Sequence, residues 1–231
     1  SVKKFVEKEI MPHVNEWDEA GTFPRELYKK AAEVGLMGAG FDEKYGGVPE
    51  TDAFYTLLGC IELAKCASGG LVASLLSHMI GTPPIHAFAQ DEVKDEVLPQ
   101  ILSGDKISAL AITEPGGGSD VAALQTKAVK EGDFYILNGE KTFITSGVRA
   151  DYYTVAVRTD PNSKGPQGIS MILVDAHTPG ITKTKLDKMG WWASDTAHLH
   201  FDNVKVPAKN LIGPENMGFF VIMNNFNMER F

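Results

Sequence analysis

Cysteine is almost absent, with Cys60 and Cys66 the only two in 231 residues. They share one helical segment and lack metal-ligand spacing, which excludes a disulfide framework and a cysteine-based zinc site. Both read as reduced core thiols. Positive charge is in deficit, 22 Lys and Arg against 30 Asp and Glu for a net charge of −8. That balance excludes broad binding to nucleic acid or to anionic membranes, so any anionic ligand must be held by local groups. Long hydrophobic runs are also missing. The longest, Leu71 to Ala89, is interrupted by His78, Gly81 and Pro83-Pro84 and falls short of the ~20 apolar residues of a spanning helix; it reads as a buried helix. The first residues, SVKKFVEKEI, have no signal-peptide apolar region and instead set Val2, Phe5, Val6 and Ile10 at helical spacing. Glycine and proline follow no period, which removes collagen-like and short-repeat architectures.

With 43% hydrophobic residues the chain can build a sizeable core. Up to residue 106 the spacing predicts helices. One covers Ser1 to Glu16; one follows Pro24 through Leu27, Ala31 and Val34 and stops at Gly35; one starts at Asp52, an N-cap, and sets Phe54, Leu57, Leu58 and Ile61 on one face. Another carries Leu71, Val72, Leu75, Leu76 and Met79, and the last runs from Asp91 through Val93, Val97, Leu98 and Ile101 to Gly104. From Ile107 the texture becomes β: EGD at Glu131 and NG at Asn138-Gly139 flank FYIL, predicting two hairpins that meet there. YYTVAVRT, GISMILVDA and AHLHFDNVKV follow as strands. Beyond Pro207 the pattern is helical again through Met217, Phe220, Met223 and Phe226, and this helix has no stop signal before Phe231, which reads as a fragment of a longer protein. The expected fold is α+β and multidomain: an all-α unit over 1–106, a β-barrel or sandwich over 107–213, and the start of a helical bundle over 214–231.

Three motifs carry chemistry. In LAITEPGGGSD (110–120), Gly116 to Gly118 permit positive φ and close backbone approach, while Thr113 and Ser119 add hydroxyls. This suits a ligand rich in carbonyl and phosphate acceptors, although a plain interdomain glycine loop fits the run equally well. In NGEKTFITSG (138–147), Phe143 and Thr145 offer a flat apolar face and a hydroxyl to one planar ring; taken alone, the stretch reads as a hairpin. MGWWASDTAHLHFDNVKVP (189–207) reads as structural.

These segments, together with FNMER at 226–230, stand in the order and spacing found in acyl-CoA dehydrogenases, and the chain resembles that family over nearly its whole length. The resemblance implies FAD held between the middle domain and a C-terminal helical domain, a homotetramer when full length, and electrons passed to an electron-transfer flavoprotein. It implies that Leu110, Ala111, Ile112 and Thr113 line the isoalloxazine, with Thr113 at its pyrimidine edge. Gly118 and Ser119 would meet the pyrophosphate and the acyl-CoA. Phe143, Ile144 and Thr145 would stand behind the ring, Thr145 donating to N5. Thr159, Asn227 and Arg230 would contact the CoA moiety, with 227 and 230 sharing a helical face.

The implied reaction is α,β-dehydrogenation of an acyl-CoA thioester: a carboxylate takes the α-proton while the β-hydride passes to flavin N5. Most relatives carry that glutamate beyond the position matching residue 231, and a minority at the position of Glu229. Glu229 is therefore the candidate base, with a solvated or paired surface carboxylate as the alternative. The expected compartment is reducing and intracellular, cytoplasmic or, in a eukaryote, the mitochondrial matrix.

Other motifs fail. GAGFDE at Gly38 has Glu43 in place of a third glycine, Ser119 is followed by Asp120 and Val121 rather than a nucleophile-elbow glycine, and His198 and His200 have no third ligand at sensible spacing. No metal is expected. Two rival readings stand: an acyl-CoA oxidase or flavin monooxygenase of the same fold, and a noncatalytic or truncated binding module.

Overall fold

The computed structural model describes residues 1–49 and 52–229; the side chains of 227–229 lie outside that description. Helices α1 (Val2–Phe5), α2 (Val14–Ala20) and α3 (Glu26–Glu33) open the chain. Between α1 and α2 a π-turn spans Val6–Ile10, closed by Met11 N–H donating to the Val6 carbonyl at 2.9 Å. Pro12 explains it: proline has no N–H to continue the ladder and crowds the preceding turn, so the helix widens there. Phe5, Val6 and Ile10 are buried as the spacing predicts. Helices α4 (Ala53–Ala64), α5 (Gly69–Leu75), α6 (His78–Gly81), α7 (Pro83–Phe88) and α8 (Asp91–Leu102) follow. Asp52 caps α4 by accepting from the Tyr55 N–H, and Val93, Val97, Leu98 and Ile101 are the buried face of α8.

Strands then take over: β1 (Ser108–Ala111), β2 (Lys127–Glu131), β3 (Phe134–Ile144), β4 (Tyr152–Arg158), β5 (Ile169–Asp175), β6 (Ile181–Lys185), β7 (Ala197–Pro207) and β8 (Leu211–Ile212). They form one mixed sheet in the order β6-β7-β3-β2-β4-β5-β8, with β1 running parallel to β4 off that path. Helix α9 (Gly218–Glu229) follows. Two hydrophobic clusters fill the molecule, and each draws on helices and strands together: one joins Tyr28 and Leu75 to Tyr153 and Leu199, the other Leu98 and Ile85 to Met171 and Ile222. Burial of apolar surface therefore ties the two halves to each other as well as within themselves.

Several expectations are corrected. Residues 71–89 fall in three short helices, α5 to α7, and Pro83, which can begin a helix but cannot continue one, separates α7 from α6. The predicted apolar face of α4 is exposed: Phe54, Leu57, Leu58 and Ile61 all face outward, while Gly59 and Leu63 are buried. Cys60 goes with that face and is an exposed free thiol; Cys66 is buried. Asn138-Gly139 makes no hairpin. It lies inside β3 at a shift of register against β7, where Gly139 has φ +146 and a Cβ would stand 2.7 Å from Thr126 Cα. A chain pressed that closely against its neighbour bulges instead of turning. Trp191 and Trp192 are mostly exposed, although the Trp192 indole donates to the Lys188 carbonyl. Strand β6 carried no readable signal, since ITKTK alternates weakly and is largely exposed.

Candidate functional site

Where β1 ends, β3 ends and α9 passes, the protein leaves a cleft of about 270 Å³. Leu110, Ile112 and Thr113 enter it from β1 and its continuation, and Gly118 from the glycine run. Phe143, Ile144 and Thr145 enter from the end of β3, and Ile80, Val121 and Phe226 close it. Its lining side chains are aliphatic and aromatic apart from the two threonine hydroxyls, and polar atoms make up much of its open surface.

Strand alternation decides which residues reach the cleft. Side chains along β1 point alternately to opposite faces, so Leu110 and Ile112 line it while Ala111 is buried in the core behind. Ala111 is not among the residues that line the cleft. Ser119 is exposed on the loop beside the cleft. The glycine run works otherwise than expected: none of Gly116, Gly117 and Gly118 has positive φ. A Cβ on Gly118 would stand 3.1 Å from Thr113 Cγ2, whereas Gly116 and Gly117 face open space. Phe143 is turned outward by the second register shift of β3, between Lys141 and Ile144, and sits at φ +58 with 68% of its surface exposed. An aromatic side chain held at positive φ and left open is a strained arrangement, of the kind concentrated at binding sites.

Beneath the cleft lies a pair that sequence reasoning passed over. Lys141 is fully buried and Glu114 nearly so. The Lys141 ammonium donates to Glu114 Oε1 at 2.8 Å and to the Ile112 carbonyl at 3.0 Å. Glu114 also accepts from the backbone N–H groups of Gln125 and Thr126. Burial pushes the Lys141 ammonium down to about 8, against the pull of Glu114. For Glu114, burial pushes the carboxyl up, but the Lys141 charge and the hydrogen bonds outweigh it and hold it below the ordinary value. Both residues lie inside the two motifs, TEPGGGSD and NGEKTFITSG; the signal was one acid and one base, each flanked by cleft residues.

The cleft's far supports are polar. Arg158 donates to the carbonyls of Ala122 and Leu124, just after the glycine run, and to those of Ser163, Gly165 and Gln167. Thr159 stands outside the cleft: its hydroxyl lies 2.6 Å from that of Ser170 and donates to Asn216 Oδ1 at 2.8 Å. Together with the Tyr135 hydroxyl on Glu215, this fixes the segment leading into α9. Asn227 and Glu229 lie on the last turn of α9, with side chains outside the described residues, and Arg230 lies outside the described residues altogether. His198 and His200 both approach Glu140 across the β3–β7 ladder, at 3.9 and 3.4 Å, and among the described residues no cluster of His, Cys, Asp and Glu is arranged to hold a metal ion. Among the same residues no helix is long and apolar enough to cross a membrane.

Helices joined to one mixed sheet, with two strand ends and α9 meeting at a cleft, define an α+β protein. The chain matches the acyl-CoA dehydrogenase N-terminal domain over residues 1–105 and the middle domain over residues 109–204. The protein belongs to the acyl-CoA dehydrogenase family. It is 39% identical over 230 residues to an acyl-CoA dehydrogenase of Bacillus subtilis, covering 99% of this chain and 60% of that one. The crystal structure of a probable acyl-CoA dehydrogenase from Mycobacterium abscessus matches with a TM-score of 0.95 at 47% identity, covering 99% of this chain and 61% of that one. A glutaryl-CoA dehydrogenase from Mycobacterium smegmatis, solved in complex with FADH2, matches at 0.89 and 34% identity over 99% of this chain and 57% of its own. The chain thus spans about three-fifths of the length of these relatives.

Proposed function

We propose that this chain supplies the helical and middle portions of an FAD-dependent acyl-CoA dehydrogenase, divided near residues 106 and 213, which removes the α- and β-hydrogens of an acyl-CoA thioester. The observation that carries the reading is the cleft itself: two strand ends from separate motifs converge on one slot lined by aliphatic and aromatic side chains and the hydroxyls of Thr113 and Thr145. That donor set fits an isoalloxazine, whose faces are apolar and whose pyrimidine edge accepts hydrogen bonds. A relative bound to FADH2 supports the same cofactor.

Bound there, the flavin would supply a two-electron hydride acceptor. The chain's own contribution is placement. Leu110, Ile112 and Ile144 exclude water from one side of the ring, Phe143 offers it a face, and the two threonines fix its edge. Gly118, where a side chain would crowd Thr113, and Ser119, exposed on the same loop, would meet the pyrophosphate and the acyl-CoA. On α9, Phe226 lines the cleft and Glu229 follows one turn on, which keeps Glu229 as the candidate for taking the α-proton. Asn227 and Arg230 remain candidates for gripping CoA. Thr159, whose hydroxyl is engaged with Ser170 and Asn216, serves CoA through the placement of α9. Electrons would leave to an electron-transfer flavoprotein from a homotetrameric full-length enzyme.

Titration of the apo parent protein with FAD tests this reading. The wild type is expected to quench flavin fluorescence at a stoichiometry of about one per chain. Gly118→Val, which crowds the Thr113 side chain in the cleft wall, is expected to weaken FAD binding about tenfold or more, a loss larger than its effect on melting accounts for. A wild-type protein that binds no FAD would overturn the proposal.

A further inference from the structure

We propose that Lys141, held by Glu114, is a positioning residue that locks the Ile112–Thr113 peptide with its N–H turned into the cleft and strengthens that N–H as a donor to the ring bound there. The inference rests on the flavin reading above and adds to it a buried cation that acts through the backbone.

The argument begins with peptide geometry. In a planar trans peptide the C=O of one residue and the N–H of the next point in opposite directions, and the described chain contains no cis peptide bond. Lys141 reaches the Ile112 carbonyl from the buried side. The Thr113 N–H of that same peptide is therefore aimed the other way, toward the cleft that Ile112 and Thr113 line. The following peptide is pinned as well, since the Thr113 carbonyl accepts from the Thr142 N–H at 2.8 Å. Two successive carbonyls are thus drawn inward onto β3, and the first of them is held by a full positive charge. An ammonium on the oxygen of an amide polarises the whole peptide unit, so its N–H becomes a better donor.

Stability alone does not call for the cation. A buried ion pair is often no better for the fold than two well-packed apolar residues, and a neutral amide at 114 could still accept from one of the two backbone N–H groups, that of Gln125 or that of Thr126. What a neutral pair cannot supply is charge under the Ile112 carbonyl. A strengthened donor at the pyrimidine edge favours the reduced ring, on which negative charge gathers, more than the oxidised one. Lys141 is thereby expected to raise both FAD affinity and the reduction potential of the bound flavin.

The test uses the full-length FAD-loaded parent protein. Lys141→Met leaves Glu114 buried without its cation and is expected to lose stability. The double variant Glu114→Gln/Lys141→Met buries no charge and keeps an acceptor for one of the two backbone N–H groups, so it is expected to melt between Lys141→Met and the wild type. The proposal expects the folded double variant to bind FAD about tenfold more weakly, to show a lower flavin potential, and to shift the C2 carbonyl stretch of bound flavin toward that of a weaker hydrogen bond. A double variant of wild-type affinity, potential and carbonyl frequency would show that the pair serves folding only and would overturn the inference while leaving the flavin reading intact. A wild-type protein unable to bind FAD would overturn both.

Discussion

Taking the protein from pH 6.5 to about pH 5 is expected to remove about 2 kcal/mol of folding stability through His78 alone. The ring is buried at the start of α6 with neither nitrogen hydrogen-bonded, and loss of water pushes its pKa from 6.5 down to about 4, against a weaker pull from the nearby Leu75 and Met37 backbone. The folded state therefore keeps His78 neutral while the unfolded chain takes up a proton below pH 6.5. The unfolded state binds more protons across that window, so stability is whole above the unfolded pKa and falls as the pH drops toward the folded one. The loss levels off near pH 4 at about 3 kcal/mol in all. Below about pH 5 the buried carboxyls Asp151 and Glu114, both held below their ordinary values, lose stability in turn as they are protonated. Urea unfolding at half-unit pH steps reads the effect. His78→Leu is expected to flatten the curve between pH 6.5 and about 5, and a wild-type curve already flat there would contradict the assignment.

Gly104→Ala is expected to be strongly destabilising. The residue follows α8 at φ +78, and a Cβ would lie 2.5 Å from the Tyr28 carbonyl carbon and 2.6 Å from its oxygen. Tyr28 cannot yield, because it is fully buried and its hydroxyl donates to the Ser74 carbonyl. Backbone strain at positive φ adds about 1–2 kcal/mol, and forcing apart two packed backbones about 1–3 kcal/mol more. Gly132, at φ +59 with nothing within 4 Å of its Cβ, provides the comparison: Gly132→Ala meets the strain without the clash. The two variants should differ by at least about 1 kcal/mol in urea, and equal losses would show that the α3–α8 contact gives way more easily than its geometry suggests.

Much of the fold could be read in the sequence, for reasons visible in particular elements. Helix α8 and strands β4, β5 and β7 announced themselves because each buries a face or a whole run, and burial imposes period or uninterrupted hydrophobicity. The α4 face was misjudged because period reveals a shared face without revealing whether anything packs on it. The NG bulge was misjudged because the same dipeptide serves a turn or a close approach, and only Thr126, supplied from another segment, decides between them. In the site, Leu110, Ile112, Thr113 and the β3 end were identified through the family resemblance and do line the cleft, while Ala111 was displaced from it by strand alternation. The Lys141–Glu114 pair escaped notice because it joins residues 27 apart in sequence, and a charged residue inside a motif gives no sign that it will be buried.

The central claim is tested most directly by an anaerobic titration of the FAD-loaded, full-length parent protein with acyl-CoA thioesters of graded chain length, followed by the visible flavin absorbance. The account predicts that thioesters of one length class bleach the flavin band in proportion to the amount added. A flavin that no thioester bleaches would contradict it, and would leave the cleft as a binding site without this chemistry.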